Sequence, residues 1–165
     1  MQSGWGKHSY LKEFSVSLKN AMFWSYTVGG GADGDIHGKE EQMSLLSIML
    51  GVVSPEQRIH LHCFQGDMEV SCSFLNSFPN TYVGYTHNVD DLTEDAAVAL
   101  RLVPSDRLLI ETDAPYFGGP TIGNTSSPMM VGVAAKRVGR VRCESTKSVL
   151  RDTAANTRAL YRLNW

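Results

Sequence analysis

The sequence has few cysteines, no long apolar run and almost no net charge, and each of these shortages excludes a class of protein. Its three cysteines, Cys63, Cys72 and Cys143, form no C-x-x-C pair. This excludes a disulfide-rich secreted domain and favours an intracellular location, cytoplasmic or nuclear. No stretch reaches the roughly 18 apolar residues that cross a bilayer, so we expect no membrane partner. The formal net charge of −2 at pH 7 gives no overall basic field to attract nucleic acid.

What the sequence does contain is an alternation of apolar strands and amphipathic helices. The 42% hydrophobic content of its 165 residues is enough for one core. The predicted strands are residues 58–64, 80–86 and 108–110, and the predicted helices are 40–50, 68–77, 91–102, 129–138 and 146–161. The glycine-rich stretch TVGGGADGD at 27–35 predicts a flexible loop. We therefore expect a single α/β domain over residues 1–165, atypical or irregular over 1–35 and regular over 36–165.

Strands separated by helices of this length predict parallel βαβ units. With one further short strand expected before His37, the chain supplies about four parallel strands with intervening helices. A complete TIM-type (β/α)8 barrel needs eight strand–helix units and roughly 250 residues. Two architectures fit this count: an open doubly wound sheet that is complete in itself, or the C-terminal half of a barrel.

Residue types that bind metals stand at the expected ends of these strands. Alternation places His60 and His62 on one face of their strand, with His62 nearer the carboxyl end. His37 precedes a helix, and Asp113 follows the strand at 108–110. In a parallel barrel such positions share the catalytic mouth, and imidazoles with a carboxylate suit zinc and other first-row divalent ions. The alternatives are a structural role for each histidine and a turn-capping role for Asp113.

Four stretches of the sequence resemble motifs of one known family. They are HCFQG at residues 62–66, RLLIETDAPYF at 107–117, IHGKEEQMSLLSIM at 36–49 and NTRALY at 156–161. The chain resembles the TatD-type metal-dependent deoxyribonucleases, within the amidohydrolase-like barrels, and is nearest to their eukaryotic TatD domain-containing protein 2 branch. The stretch at 107–117 is the most specific match, whereas Gln65, Gly38 and Lys39 depart from the family pattern. The resemblance implies that the fold is the C-terminal half of a (β/α)8 barrel.

The resemblance also implies an activity and a set of site residues. The activity is metal-dependent hydrolysis of phosphodiester bonds in DNA, with single strands or ends as substrate. The implied metal ligands are His37, His62 and Asp113, and Asp113 would also take the proton of the attacking water as the catalytic residue. Glu111 and His60 would support these ligands. The implied cofactors are divalent ions, Mg²⁺, Mn²⁺ or Zn²⁺, two of them in intact relatives.

Two further positions are weaker candidates for substrate binding. Lys39, where the family usually has arginine, could neutralise a phosphate as a point charge, or lie solvated at the start of a helix. Tyr116 could stack on a terminal base, or pack beneath the mouth of the barrel.

The first metal-binding elements of the family have no counterpart in this sequence. Members open with a His-x-His pair on the first strand and a glutamate after the third, and no His-x-His precedes His37. We therefore expect an N-terminally truncated domain that binds metal weakly and hydrolyses little or no nucleic acid. The alternative is a non-catalytic remnant that acts as a binding or dimerising module.

Overall fold

The computed structural model describes residues 24–27, 39–117 and 125–164. Within these ranges the strands are β1 (Trp24–Thr27), β2 (Ile59–His62), β3 (Thr81–Tyr85) and β4 (Leu108–Ile110). The helices are α1 (Lys39–Val52), α2 (Met68–Ser77), α3 (Glu94–Leu102), α4 (Val131–Arg142) and α5 (Thr146–Tyr161). Two 3₁₀ turns are His87–Asp91 and Pro128–Met130. None of the described helices is long and apolar enough to cross a bilayer.

The four strands form one parallel sheet whose spatial order follows the chain, β1-β2-β3-β4. This is the order in the wall of a β/α barrel, whereas a doubly wound sheet reverses its order at a switch point. The structure therefore confirms the partial barrel and excludes the doubly wound alternative. Because all four strands are parallel, their carboxyl ends lie along one edge of the sheet, and the candidate residues follow those ends.

The two faces of the sheet differ in what covers them. On one face Ile59, Leu61, Val83 and Leu108 are buried beneath the helices, in a core that includes Leu46, Met49, Phe74, Leu100, Val138 and Val149. Each such side chain contributes about 1.5–3 kcal/mol when it is fully buried. On the other face Tyr82 and Leu109 pack with Leu160 from the C-terminal end of α5. By alternation His60 and His62 belong to this second face.

Local chemistry explains where the elements begin and end. Thr93 caps α3 by accepting the amide of Ala96 at 3.3 Å, so the helix begins at Glu94 and not at residue 91 as predicted. Strand β2 ends at His62 because Cys63 takes a left-handed conformation with φ of 48°. Strand β1 lies inside the segment 1–35 that was predicted to be irregular, while residues 28–35 of the predicted glycine-rich loop lie outside the described ranges.

Candidate metal centre

Three ligand-type side chains converge where β2 and β4 end. His62 is the last residue of β2, and Glu111 and Asp113 follow β4. The Nε2 atom of His62 lies 2.6 Å from Glu111 Oε2 and 3.0 Å from Asp113 Oδ1. Each residue offers one ligand atom, and these three atoms all lie within 4.8 Å of one another. Three ligand atoms at these distances are close enough to bind one cation together.

The backbone turns sharply at both strand ends. Cys63 and Asp113 each have φ of 48°, in the left-handed region that costs a non-glycine residue about 1–2 kcal/mol. Aspartate tolerates this region better than most residues do. The amide of Tyr116 donates to the carbonyl of Asp113 at 2.7 Å and closes the turn. The turn places the Asp113 carboxylate beside His62, where its side chain is only 8% exposed.

Glu111 is held by backbone and side chains of neighbouring strands. Its Oε1 accepts the Cys63 amide at 3.1 Å and lies 3.4 Å from His60 Nε2. Its Cδ and Oε1 fill the space beside Gly84, where a Cβ atom would lie 1.7 Å from Oε1. With its side chain 9% exposed, this carboxylate could not stay ionised without such donors or a cation.

The two carboxylates determine the charge of His62. Contacts with Asp113 first, and then with Glu111, raise the pKa of His62 from 6.5 to about 10, so the ring is protonated at neutral pH. Burial opposes ionisation of Glu111, but the contacts with His60 and His62 outweigh burial and lower the pKa of Glu111 to about 2. A protonated imidazole thus balances buried negative charge, a role that a divalent cation would take over if it displaced the proton.

One buried oxygen gives a direct test of whether a metal fits here. Glu111 Oε2 has no hydrogen-bond partner among the described residues, although His62 Nε2 is only 2.6 Å away. The two groups form an ion pair, but one without the alignment that a hydrogen bond needs. Buried polar atoms are rarely left in this condition. A close ion pair that is poorly aligned as a hydrogen bond is also the arrangement of two groups able to share a cation. Imidazole and carboxylate donors together suit Zn²⁺, Mn²⁺ or Mg²⁺.

The other predicted site residues are placed as follows. His37 lies outside the described residues. His60 is buried, and its ring centroid is 5.6 Å from that of His62. The ammonium of Lys39 contacts Glu69 and lies 3.0 Å from Asp67, so two carboxylates at the start of α2 hold it. Tyr116 is 74% exposed and does not pack beneath the mouth.

Sequence reasoning missed two residues around the cluster. The hydroxyl of Tyr161, at the end of α5, lies 2.9 Å from His60 Nδ1. His87 donates from Nε2 to the carbonyl of Phe117 at 2.7 Å, and thereby anchors the segment that follows Asp113. Tyr161 ends the NTRALY stretch at 156–161, but that motif does not indicate its contact with His60, and His87 lies in no motif. Both contacts depend on how distant elements pack. Burial raises the pKa of the Cys63 thiol to about 12, which leaves this cysteine unsuited to act as a nucleophile.

The family model and the related proteins that this chain matches point to the same family. A model described as TatD related DNase matches residues 35–162. Over 133 residues the chain is 34% identical to the 3'-5' RNA nuclease TATDN2 of Homo sapiens, covering 78% of this chain and 18% of that protein. Over 106 residues it is 27% identical to the uncharacterized metal-dependent hydrolase YabD of Bacillus subtilis, covering 63% of this chain and 41% of that protein. The chain thus spans less than half the length of these two relatives.

A solved structure gives the same fold. The crystal structure of a hydrolase TatD family protein from Entamoeba histolytica superposes with a TM-score of 0.74 at 16% identity, covering 96% of this chain and 58% of that chain. This likeness shows the architecture alone. The family model, in contrast, spans most of the chain and includes His62, Glu111 and Asp113. The chain belongs to the TatD related DNase family.

Proposed function

We propose that this chain carries a divalent-cation site of a hydrolase that cleaves phosphodiester bonds in nucleic acid. The observation that carries the proposal is the convergence of His62, Glu111 and Asp113 within 4.8 Å at the carboxyl edge of a parallel sheet. Glu111, to which the sequence assigned only a supporting role, is proposed as a ligand as well. His37 is proposed as a further ligand. Mg²⁺, Mn²⁺ or Zn²⁺ would suit the set, with a second ion in a complete centre.

The residues divide the chemistry between them. A divalent cation, when bound, polarises the phosphoryl group and makes water a stronger acid. Asp113 accepts the proton of the attacking water through its carboxylate, as a general base. His62 and Glu111 hold the cation and are themselves fixed by the ends of β2 and β4. The low exposure of both carboxylates strengthens each of these electrostatic contacts.

Space for a substrate adjoins the cluster. A cavity of about 340 Å³ is lined by His60, His62, Asp113, Thr157 and Tyr161, among others. This volume is at the lower end of the range for small-molecule pockets, which begins at about 300 Å³. The exposed ring of Tyr116 is offered as a platform for a terminal base. Lys39 would have to leave Asp67 and Glu69 in order to meet a phosphate, so its role is the weaker proposal.

The names of the relatives support two classes of substrate. The family description and the deoxyribonuclease Tat-D of Saccharomyces cerevisiae, 32% identical over 62 residues, favour DNA, either single strands or ends. The human relative, at 34% identity over 133 residues, is named as an RNA nuclease, which favours RNA. We propose DNA as the substrate and keep single-stranded RNA as the second candidate.

Hydrolysis of end-labelled single-stranded DNA and RNA tests the proposal. With Mg²⁺, Mn²⁺ or Zn²⁺ we expect slow, metal-dependent cleavage, below the roughly 1–10³ s⁻¹ typical of enzymes. The rate is low because the described ligands can hold one cation, whereas a two-metal mechanism needs another set. Asp113→Asn should abolish the cleavage, and Asp106→Asn, at an exposed carboxylate, should not. Metal binding with no cleavage of either substrate would favour the non-catalytic binding module.

A further inference from the structure

We propose that Tyr161 is a positioning residue of the metal centre. Its hydroxyl fixes the tautomer of His60, and His60 in turn holds the Glu111 carboxylate in the orientation that presents Oε2 to the cation. The inference rests on the proposed metal centre and extends it to the last turn of α5, far from the strand-end motifs in the sequence.

The first link is the contact between Tyr161 and His60. The phenolic oxygen lies 2.9 Å from Nδ1, and the rings meet edge to face with their centroids 6.3 Å apart. A phenolic hydroxyl can donate or accept a hydrogen bond, and a neutral imidazole has one donor and one acceptor nitrogen. Because His60 Nε2 faces a carboxylate oxygen, which can only accept, the Tyr161 hydroxyl is assigned as the donor and Nδ1 as the acceptor. The imidazole proton is then placed on Nε2.

The second link runs from His60 to Glu111. His60 Nε2 lies 3.4 Å from Glu111 Oε1, with both side chains under 10% exposed. The Cys63 amide donates to this same oxygen at 3.1 Å. The Cys63 amide is thus the hydrogen-bond donor to Oε1, while His60 Nε2 approaches the same oxygen without forming a hydrogen bond. The other oxygen, Oε2, lies 2.6 Å from His62 and also has no hydrogen-bond partner among the described residues. An Nδ1–H tautomer would aim a lone pair at Oε1 and would turn the carboxylate away.

The third element is the attachment of the helix that carries Tyr161. Leu160 is fully buried against the sheet, and Arg58 donates to its carbonyl at 3.3 Å. One turn earlier, Asn156 donates to the carbonyls of Ser105 and Leu108. The end of α5 is thereby fixed on the strands that carry the cluster. This packing places the Tyr161 hydroxyl beside His60. Residues that do not bind the metal but orient its ligands typically lower the metal affinity about 10–100-fold when they are removed.

The experiment compares the parent chain with Tyr161→Phe and a matched control, Tyr85→Phe. Tyr85 is fully buried on the helix-covered face, and its hydroxyl has no partner among the described residues. Long-range ¹H–¹⁵N spectra of histidine-labelled chain, recorded without metal at mildly alkaline pH, report which nitrogen of His60 carries the proton. Mn²⁺ titration followed by electron paramagnetic resonance gives the affinity. Thermal unfolding establishes that each variant folds.

We expect the Nε2–H tautomer of His60 in the parent chain and in Tyr85→Phe, and a mixed tautomer in Tyr161→Phe. We expect the Mn²⁺ dissociation constant to rise about tenfold or more in Tyr161→Phe alone. An Nδ1–H tautomer in the parent, an unchanged tautomer in Tyr161→Phe, or Mn²⁺ affinity within twofold of the parent would overturn the positioning role. A parent chain that binds no Mn²⁺ would refute the metal centre itself, and the tautomer alone would then decide whether Tyr161 controls His60.

Discussion

The carboxylate of Glu111 lies against the Cα of Gly84, in the space that a larger residue at position 84 would fill with its side chain. A Cβ atom built there would lie 1.7 Å from Glu111 Oε1 and 2.6 Å from His60 Nε2. Gly84 and Glu111 thus depend on each other across the neighbouring strands β3 and β4. The glycine is required for close approach and not for backbone flexibility.

Gly84→Ala should therefore displace the Glu111 carboxylate from the cluster. We expect a loss of about 1–3 kcal/mol in the free energy of unfolding, because the added methyl group overpacks a buried site. We also expect about a tenfold or greater loss of Mn²⁺ affinity. The matched control is Gly132→Ala in α4, where nothing lies within 4 Å of an added Cβ. Equal effects of the two substitutions on Mn²⁺ titration would refute the contact.

Asn156 provides a test of the fold that is independent of the metal. Its buried side-chain amide donates to the carbonyls of Ser105 at 2.7 Å and Leu108 at 2.8 Å, and joins α5 to the start of β4. Asn156→Ala removes both hydrogen bonds and leaves the buried Leu108 carbonyl unpaired, which costs about 1–3 kcal/mol, whereas water can reach the exposed Ser105. Denaturant unfolding should show the loss, whereas Asn164→Ala, at an exposed position, should change the midpoint little. Equal midpoints for the parent chain and Asn156→Ala would contradict the proposed attachment.

The cysteines should differ in reactivity. Burial raises the pKa of Cys63 to about 12, so its thiol stays protonated at every pH below that value and is a poor nucleophile. Cys72 and Cys143 are exposed. With a thiol reagent at mildly alkaline pH, we expect two fast modifications and a third that requires unfolding. Rapid modification of Cys63 in the folded chain, located by peptide mass mapping, would show that the pocket around it is open.

The sequence was enough to predict the sheet and part of the cluster, for identifiable reasons. Apolar runs and helical spacing predicted α5 at its observed bounds, because Ser145 caps it and its buried residues recur at helical spacing. The strand-end argument anticipated that His62 and Asp113 would meet, and they lie 3.0 Å apart. Their role as ligands stays a prediction, as does that of His37, which lies outside the described residues.

Other features of the site depend on geometry that a linear pattern does not contain. Strand alternation predicted the face on which Glu111 lies but not the direction of its two oxygens, one of which accepts the Cys63 amide. The left-handed turn at Asp113 is permitted by its residue type but not required by it. The contact of Tyr161 with His60 joins residues 101 positions apart, and it follows only from the path of α5 over the sheet.

Manganese binding by Asp113→Asn tests the central claim most directly. Asparagine adopts left-handed backbone conformations as readily as aspartate, so this substitution removes the charge while preserving the turn. The account predicts that the parent chain and the exposed control Asp106→Asn bind Mn²⁺ saturably, and that Asp113→Asn binds it at least about tenfold more weakly with unfolding still cooperative. Equal Mn²⁺ affinity in all three proteins, or no saturable binding by the parent, would contradict the assignment of His62, Glu111 and Asp113 as a metal site.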